Sequence, residues 1–267
     1  MKRARVAYAG AIHDATPHAL GPGLAGLRLA DGRVVTEDAV VWLPPVVPGT
    51  IIALGLNYAD HAKELAFAAP QEPVAFLKTP GSLVGHRGLT PRPAGVRCMH
   101  YECELAVIVG RRARRIDHRR AMEHVAGFSI ANDYAIRDYL ENWYRPNLRV
   151  KNRDACTALG PWYVDASDIE EPEALELRTC VNGVETQRGN TRDLILGIGE
   201  LLAYLTEFMT LEPGDVILTG TPKGVTNVDI GDEVVCEIEG LGRLQNTIVG
   251  DLLPDRGGTE TTCASTI

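Results

Sequence analysis

The chain has 267 residues, of which 45% are hydrophobic, and a formal net charge of −8 with a pI of about 5.4. This length allows one large domain, or a large domain with a small one, and a sizeable apolar core. The acidic balance argues against nucleic acid as a partner, because binding phosphates requires a basic face. The six cysteines form no CxxC pair, and no apolar run approaches membrane-spanning length. We therefore expect a cytoplasmic protein with free thiols and no membrane partner.

The first part of the chain predicts a small β-rich N-terminal segment over residues 1–48. Short β-like runs alternate there with glycine and proline turns, and "ADGR" carries the Asp-Gly signal of a tight hairpin. Residues 49–253 contain no linker, repeat or low-complexity run, so we expect one catalytic unit. The polar tail over 254–267 has little patterning, and we expect it to be disordered.

Within the large unit, strand patterns outnumber helix patterns. A strand followed by a short polar helix is predicted for "TIIALGLNYADHAKELAF", and "LRTCVNGVETQRG" indicates a hairpin with Asn-Gly at its turn. In "TRDLILGIGELLAYLTEF" the apolar spacing is typical of a core-facing helix. Strands are indicated by "EPVAFLK", "ECELAVIVG", "GDVILTGTP" and "GDEVVCEIEGLGRLQNTIV". The pattern predicts a β-dominated α+β fold without a regular βαβ rhythm.

Two glutamates at the head of a buried strand pattern indicate a metal site. In "YECELAVIVG", Glu102 and Glu104 are two residues apart, so their side chains share one face of a strand, roughly 6–7 Å apart along it. Two buried carboxylates repel each other and lose hydration, and a hard divalent cation with oxygen ligands offsets both costs. The alternative is an exposed edge strand with solvated glutamates.

A third carboxylate follows in "SIANDYAIRDY". Asp133 ends an apolar strand pattern where we expect a helix to begin, and Arg137 would then share a helix face with it. The spacing fits a metal ligand and a helix N-cap about equally well.

Several other polar residues lie in dense motifs. Arginine outnumbers lysine 22 to 5, so the four lysines in these motifs are candidates for positions where only a compact ammonium fits: Lys63, Lys78, Lys151 and Lys223. Codon bias is a credible alternative explanation for Lys63 and Lys223. His61 and Glu64 are one helical turn apart and can form a hydrogen bond, as a catalytic pair or as a surface ion pair. "TGTPKG" can be a binding turn or an ordinary Gly/Pro turn.

The ordered series "LGLNYADHAKE", "EPVAFLK", "YECELAVIVG", "ANDYAIRD", "VKNRD…GPW", "VNGVETQ" and "GDVILTGTPKGV" resembles the fumarylacetoacetate hydrolase family. The resemblance implies that family's mixed β-sandwich roll. It also implies a Mg²⁺ site, with Mn²⁺ as an alternative, formed by Glu102, Glu104 and Asp133. The metal would bind the 2-oxo acid end of a substrate and stabilise its enolate.

The same resemblance implies roles for the other motif residues. His61 and Glu64 would handle a proton, in hydrolases by activating water, and Lys151 would be a catalytic residue beside the metal. Substrate contacts are implied at Lys78, Arg137, Gln187 and Thr221.

The segment "NDYAIRDYLENWYRPNLRVKNRD" most resembles sequences of the decarboxylating branch of the family, which acts in 4-hydroxyphenylacetate (homoprotocatechuate) degradation. This branch implies metal-dependent decarboxylation of 5-oxopent-3-ene-1,2,5-tricarboxylate through a dienolate. Asn152 follows Lys151 where acylpyruvate-cleaving relatives tend to have serine, which favours decarboxylation over hydrolysis. Arg145, Arg149 and Arg153 would bind the distal carboxylates.

Other activities on the same scaffold stay open. They are isomerisation of 2-hydroxyhepta-2,4-diene-1,7-dioate, cleavage of acylpyruvates, and decarboxylation of oxaloacetate. A silent paralogue that serves as a subunit partner is an alternative of another class. The family implies a homodimer, or a complex with a homologous isomerase subunit.

Overall fold

The computed structural model describes residues 1–64, 72–140 and 147–251, with the side chains of residues 62 and 63 excluded. The helices of this part of the chain are α1 (Ala59–Glu64), α2 (Leu148–Lys151) and α3 (Ile198–Phe208). Its strands are β1 (Lys2–Tyr8), β2 (Ala11–Gly21), β3 (Leu24–Leu29), β4 (Val34–Thr36), β5 (Val41–Leu43), β6 (Ile51–Gly55), β7 (Val74–Lys78), β8 (Leu83–Val84), β9 (Gly88–Arg92), β10 (Met99–His100), β11 (Cys103–Val109), β12 (Val125–Asp133), β13 (Ala135–Ile136), β14 (Thr157–Asp165), β15 (Glu176–Val181), β16 (Val184–Asn190), β17 (Val216–Leu218), β18 (Glu233–Ile238) and β19 (Gly242–Gly250).

A large mixed sheet forms the body of the molecule. Its strand order is β4-β3-β2-β1-β14-β12-β11-β17-β6-β7, with β5 also on β1 and β8 also on β14. A second sheet has the order β16-β15-β18-β19-β9, and β10 pairs with β13 in a short ribbon. This strand-dominated architecture confirms the predicted β-dominated α+β fold of the mixed β-sandwich type.

The main core lies between the large sheet, the second sheet and α3. Alternate residues of β11, among them Leu105 and Val107, pack in one buried cluster with Leu202 of α3 and Leu244 of β19. The buried positions of α3 recur at helical spacing, as predicted for a core-facing helix. None of the described helices is long and apolar enough to cross a membrane.

The opposite face of the large sheet leads to the polar residues. Ala106 and Ile108 of β11 belong to a second buried cluster with Ala131 of β12. Because strand side chains alternate, Glu104 lies on this same face two residues before Ala106, and Asp133 lies on it two residues after Ala131. The register, which pairs Glu104 with Ala131, brings these strand ends together.

The two predicted hairpin turns are present. Asn182 and Gly183 have φ of 50° and 80° between β15 and β16, the left-handed pair that a two-residue hairpin turn requires. At the Asp-Gly turn, the Leu29 N–H donates to the Arg33 carbonyl oxygen and closes the hairpin of β3 and β4.

The prediction that a helix begins at Asp133 is wrong. The chain continues as β13, which pairs with β10, and a single 3₁₀ turn then covers Arg137–Tyr139. Asp133 therefore caps no helix, because the pairing with a distant strand keeps this segment extended. The N-terminal strands join the large sheet where β1 pairs with β14, and the division at residue 48 stays a prediction. The predicted tail over 254–267 lies outside the described residues.

Candidate metal centre and active site

Three carboxylates meet at the end of the large sheet. Ligand oxygens of Glu102, Glu104 and Asp133 all lie within 4.8 Å of one another. Glu104 and Asp133 are 0% and 1% exposed, and Glu102 is 7% exposed. The glutamates are therefore buried and do not lie on an exposed edge strand. Backbone and side-chain bonds fix the strand ends: the Asp133 N–H donates to the Glu102 carbonyl oxygen, and Asn132 Oδ1 accepts the Glu102 N–H at 2.9 Å.

Glu104 is the carboxylate with the least compensation. Its Oε2 accepts the Gly220 N–H at 2.6 Å, while its Oε1 is buried without a hydrogen-bond partner. Burial, and then the neighbouring carboxylates of Asp133 and Glu102, raise the pKa of Glu104 well above its usual value. A cation at this free oxygen would remove both the repulsion and the unmet acceptor.

Three cations surround the other two carboxylates. Lys151 Nζ donates to Glu102 Oε2 at 2.6 Å and to Asp133 Oδ2 at 2.8 Å, and Arg137 Nη2 donates to Glu102 Oε1 at 2.7 Å. Lys78 Nζ lies 2.6 Å from Asp133 Oδ1, although not at a hydrogen-bonding angle, and donates to the Lys151 carbonyl oxygen. Lys78 and Lys151 are both buried. An ammonium suits this position because its three donors reach several acceptors at once.

The charges set the protonation of the cluster. Burial alone would raise the pKa of Glu102, but Lys151 and Arg137 lower it to about 2. Burial likewise opposes the charge of Lys151, yet Asp133 and Glu102 raise the pKa of its ammonium above the usual value. Glu102 is therefore an ionised oxygen donor, and a bound cation would favour the ionised form of Glu104 as well. Carboxylate oxygens are the ligands that Mg²⁺ and Mn²⁺ prefer, so these residues fit a hard divalent cation.

A cleft of about 320 Å³ opens beside this cluster. Its apolar wall includes Leu54, Val74, Phe76, Leu140 and Val150. Its polar lining includes His61, Glu102, Arg137, Lys151 and Thr221. The cleft therefore combines a water-excluding wall with cations that would attract an anionic small molecule.

The predicted His61–Glu64 hydrogen bond is present. His61 Nδ1 lies 3.0 Å from Glu64 Oε2, and His61 is 4% exposed. Glu64 also accepts the Gly224 N–H, at 3.1 Å to Oε1. The pair is thus buried at the cleft on its histidine side and is not a surface ion pair. Its imidazole can hold a proton at Nε2 while Nδ1 is bonded to the carboxylate.

Thr221 and Gln187 occupy different positions. Thr221 lines the cleft, and its Oγ1 accepts a hydrogen bond from Gln187 Nε2 at 2.9 Å. Gln187 Nε2 also donates to the Pro222 carbonyl oxygen at 2.8 Å, and Thr179 Oγ1 donates to Gln187 Oε1. Gln187 is buried behind the turn and is absent from the described lining of the cleft. Its predicted contact with substrate stays a prediction.

Of the three arginines predicted for the distal carboxylates, Arg149 and Arg153 contact other side chains of the protein. Arg149 is exposed and its guanidinium lies 3.8 Å above the Tyr139 ring. Arg153 Nη2 donates to Asp251 Oδ2 at 3.0 Å. Arg145 lies outside the described residues. Neither Arg149 nor Arg153 is part of the described cleft lining, so their role stays a prediction.

Sequence reasoning missed the backbone donor to Glu104. Gly220 has a φ of +93°, and an added Cβ would lie 3.1 Å from Asn57 Cβ. Only glycine combines this backbone angle with so close an approach. The sequence does show a glycine in "TGTP" after a strand pattern. It does not show that the N–H of this glycine donates to Glu104 on another strand.

Comparison with known proteins now gives the family. The model of the fumarylacetoacetate (FAA) hydrolase C-terminal family matches residues 50–249. The chain belongs to the fumarylacetoacetate hydrolase family. The Salmonella dublin protein named 4-hydroxyphenylacetate degradation bifunctional isomerase/decarboxylase is 54% identical over 230 residues, which cover 84% of this chain and 53% of that protein. The chain thus spans about half the length of the curated relatives it matches.

Solved structures of the family cover nearly the whole chain. A 5-carboxymethyl-2-hydroxymuconate delta-isomerase from Mycobacterium smegmatis is 37% identical with a TM-score of 0.81, and the match covers 94% of this chain and 99% of that one. A 2-hydroxyhepta-2,4-diene-1,7-dioate isomerase from Mycobacterium marinum is 32% identical with a TM-score of 0.80 and the same coverage. The family members most similar to this chain therefore include proteins named for both isomerase and decarboxylase activity.

Proposed function

We propose that this chain is a cytoplasmic, divalent-metal-dependent decarboxylase of 5-oxopent-3-ene-1,2,5-tricarboxylate in the degradation of aromatic acids. The observation that carries the proposal is the buried carboxylate triad, in which Glu104 Oε1 lacks a partner beside a cationic cleft. The 54% identity to a bifunctional isomerase/decarboxylase supports the choice of substrate. The chain matches only 53% of that relative, which is named for two activities. Which of the two belongs to the part that matches this chain is therefore also a proposal.

Glu102, Glu104 and Asp133 would hold Mg²⁺ or Mn²⁺. When bound, the cation would supply Lewis-acid stabilisation of negative charge on the 2-oxo oxygen of the substrate. Lys151 and Arg137, whose donors already face carboxylates at the cleft, would orient the anionic end of the substrate. Lys78 would hold Asp133 in place from the buried side.

The remaining steps use residues of the cleft. As the bond to the leaving carboxylate breaks, its electron pair moves through the conjugated chain to the 2-oxo oxygen and CO₂ departs, leaving a dienolate. His61, oriented by Glu64, would deliver the proton that completes the product, a 2-hydroxy-diene-dioate or its keto tautomer. The apolar wall around Phe76 and Val150 would exclude water, which disfavours hydrolysis of the same substrate.

Isomerisation of 2-hydroxyhepta-2,4-diene-1,7-dioate is the second candidate. The Mycobacterium marinum structure is named as an isomerase of this substrate, and the Mycobacterium smegmatis structure is named as an isomerase of 5-carboxymethyl-2-hydroxymuconate. Isomerisation of this dienol to its 2-oxo-3-ene form removes the proton of the 2-hydroxyl and adds one at C5 through a dienolate, so it would use the same triad and the same His61. The proposed assembly is a homodimer, or a pair with a homologous isomerase subunit.

A paired assay on purified protein with Mg²⁺ separates the two candidates. One arm measures CO₂ release from the tricarboxylate, and the other follows the ultraviolet change of the dienedioate. CO₂ release supports the decarboxylase. Dienedioate turnover without CO₂ moves the assignment to the isomerase, and inactivity in both arms refutes both and leaves acylpyruvates and oxaloacetate to be tried.

The distal carboxylates give a separate test of substrate choice. Replacing Arg149 or Arg153 with Ala should raise KM for the tricarboxylate and leave kcat unchanged, because these side chains would contact only the end remote from the reacting bond. Unchanged KM in both variants would remove these arginines from the substrate site.

A further inference from the structure

Gly224 is held on both sides of its backbone. The Tyr101 hydroxyl donates to the Gly224 carbonyl oxygen at 2.7 Å, because a carbonyl can only accept. The Gly224 N–H in turn donates to Glu64, 3.1 Å from Oε1 and 3.3 Å from Oε2. Tyr101 and Glu64 therefore meet through one residue of the turn that follows Thr221.

The backbone at Gly224 has little conformational freedom. Gly224 has a φ of +100°, and an added Cβ would lie 2.9 Å from the Thr186 carbonyl oxygen. Thr186 Oγ1 also lies 2.6 Å from the Tyr101 hydroxyl, which is attached to a side chain that is 0% exposed. The tyrosine and the edge of β16 thus fix where Gly224 presents its N–H.

Tyr101 is covalently joined to a proposed metal ligand. It directly precedes Glu102; the Tyr101 hydroxyl contacts Gly224 of the turn, and the Glu102 carboxylate lies in the triad. Adjacent residues of the chain therefore reach the turn and the triad.

We infer that Tyr101 is a positioning residue for the His61–Glu64 pair. It holds Gly224, Gly224 holds the Glu64 carboxylate, and Glu64 holds His61 Nδ1 at 3.0 Å. The dipeptide Tyr101-Glu102 thereby keeps the proton-handling pair in register with the carboxylate triad. The catalytic consequence rests on the proposed function, whereas the positioning itself does not.

The test replaces Tyr101 with Phe, which removes one hydroxyl and keeps the ring. Tyr134→Phe is the matched control: Tyr134 is buried in the same apolar cluster and directly follows Asp133, but its hydroxyl makes no hydrogen bond to Gly224 or Glu64. We expect Tyr101→Phe to speed hydrogen exchange at the Gly224 amide and at residues 59–64 by about five- to tenfold, the opening expected when one hydrogen bond is lost. Tyr134→Phe should leave these amides within twofold of the unmodified protein.

A second variant keeps the test decisive if Tyr101→Phe is poorly folded. Glu64→Ala removes the other contact to Gly224 from a side chain that is 35% exposed, so the core is untouched. It should speed exchange at the Gly224 amide to a similar extent, and adding Tyr101→Phe should change that amide little further, because the two contacts act in series. Unchanged exchange in Glu64→Ala, or in a folded Tyr101→Phe, would overturn the inference. Equal acceleration of hydrogen exchange by Tyr134→Phe would also overturn the inference, because a general loss of packing would then explain both results.

The activity readout separates this inference from the proposed function. With the tricarboxylate and Mg²⁺, Tyr101→Phe should lower kcat about tenfold, a partial loss of the contribution of a general acid, with KM and Mn²⁺ affinity within twofold. A KM that rises while kcat holds would contradict a positioning role for the proton-handling pair. If the unmodified protein releases no CO₂, the proposed function fails, while the exchange measurements still decide the role of Tyr101.

Discussion

At the scale of single residues, Glu104 and Glu102 should respond in opposite directions to the same change. Burial, and then the carboxylates of Asp133 and Glu102, raise the pKa of Glu104, so folding without a metal requires this group to take up a proton at neutral pH. Glu104→Gln removes that cost, and the metal-free protein should become more stable. Its affinity for Mn²⁺ should fall by about 100-fold or more, since even groups outside the ligand shell contribute about 10- to 100-fold. Calorimetric titration and thermal unfolding after EDTA treatment measure the two effects.

Glu102→Gln is the matched comparison. It leaves Lys151 and Arg137 facing a neutral amide, and breaking such a buried pair should cost about 3–5 kcal/mol. Both variants should lose metal affinity, but only Glu102→Gln should unfold more easily. A loss of stability in Glu104→Gln would contradict the view that this carboxylate is strained without a cation.

His86 should make the stability of the protein depend on pH. Its Nδ1 accepts the Gln245 N–H, its ring packs edge-on against Trp42, and burial, with a smaller effect of Arg87, lowers its pKa to about 4. Because the unfolded chain binds the proton more tightly, this contribution is fully present above about pH 6.5 and is lost as the pH falls toward 4. We expect ~2 kcal/mol less stability from this group at pH 5 than at pH 7.5.

Urea unfolding of the unmodified protein and of His86→Asn at these two pH values isolates that group. The amide oxygen of asparagine can accept the same N–H but does not titrate, so the variant should lose less stability between the two pH values. Equal losses in both proteins would show that His86 is not the responsible group.

Glu102, Glu104 and the two lysines at the centre were readable from local patterns, whereas the choice of Asp133 as a ligand rested on the family resemblance. The Glu-x-Glu spacing gives a shared strand face, and a scarce lysine in an arginine-rich chain indicates a position that needs an ammonium. The links of Lys151 to Asp133 and of Tyr101 to Gly224 were not readable, because they join segments that only the folded chain brings together.

At the scale of elements, the segment after Asp133 shows where local patterns fail. The sequence there fits a helix, but Ala135 and Ile136 pair with β10 and keep the backbone extended. Strand pairing with a distant partner overrides local preference, and no single stretch of sequence reveals that partner. The hairpin turns were predictable because the Asn-Gly and Asp-Gly signals lie within the turns themselves.

The turn after β17 should be sensitive to a single methyl group. Gly220→Ala places a Cβ 3.1 Å from Asn57 Cβ at a φ of +93°, and it moves the N–H that Glu104 accepts. We expect a loss of about 1–2 kcal/mol from the backbone angle, with more from the contact, and weaker Mn²⁺ binding.

Gly231→Ala is the control for the backbone angle alone. Gly231 has a φ of +97°, and an added Cβ would meet nothing within 4 Å. Chemical unfolding should show a smaller loss for Gly231→Ala, and metal titration should show no change. Equal losses of stability and affinity in the two variants would show that the approach to Asn57 is unimportant.

At the scale of the whole molecule, the large sheet assembles the candidate site from distant parts of the chain. One face of β11 and β12 carries apolar residues into a buried cluster and ends in the carboxylate triad. Lys78 comes from β7 at the edge of the sheet, and Lys151 ends α2. The fold class followed from counting strand patterns, whereas the strand order that brings these residues together depends on long-range pairing.

The measurement that tests the central claim most directly is CO₂ release from 5-oxopent-3-ene-1,2,5-tricarboxylate by protein stripped with EDTA and then supplied with Mg²⁺ or Mn²⁺. We expect no release from the stripped protein and recovery on adding either cation, with Glu104→Gln inactive throughout because the triad would no longer hold the cation. Release that persists in the stripped protein, or that survives in Glu104→Gln, would contradict a metal-dependent reaction at this triad.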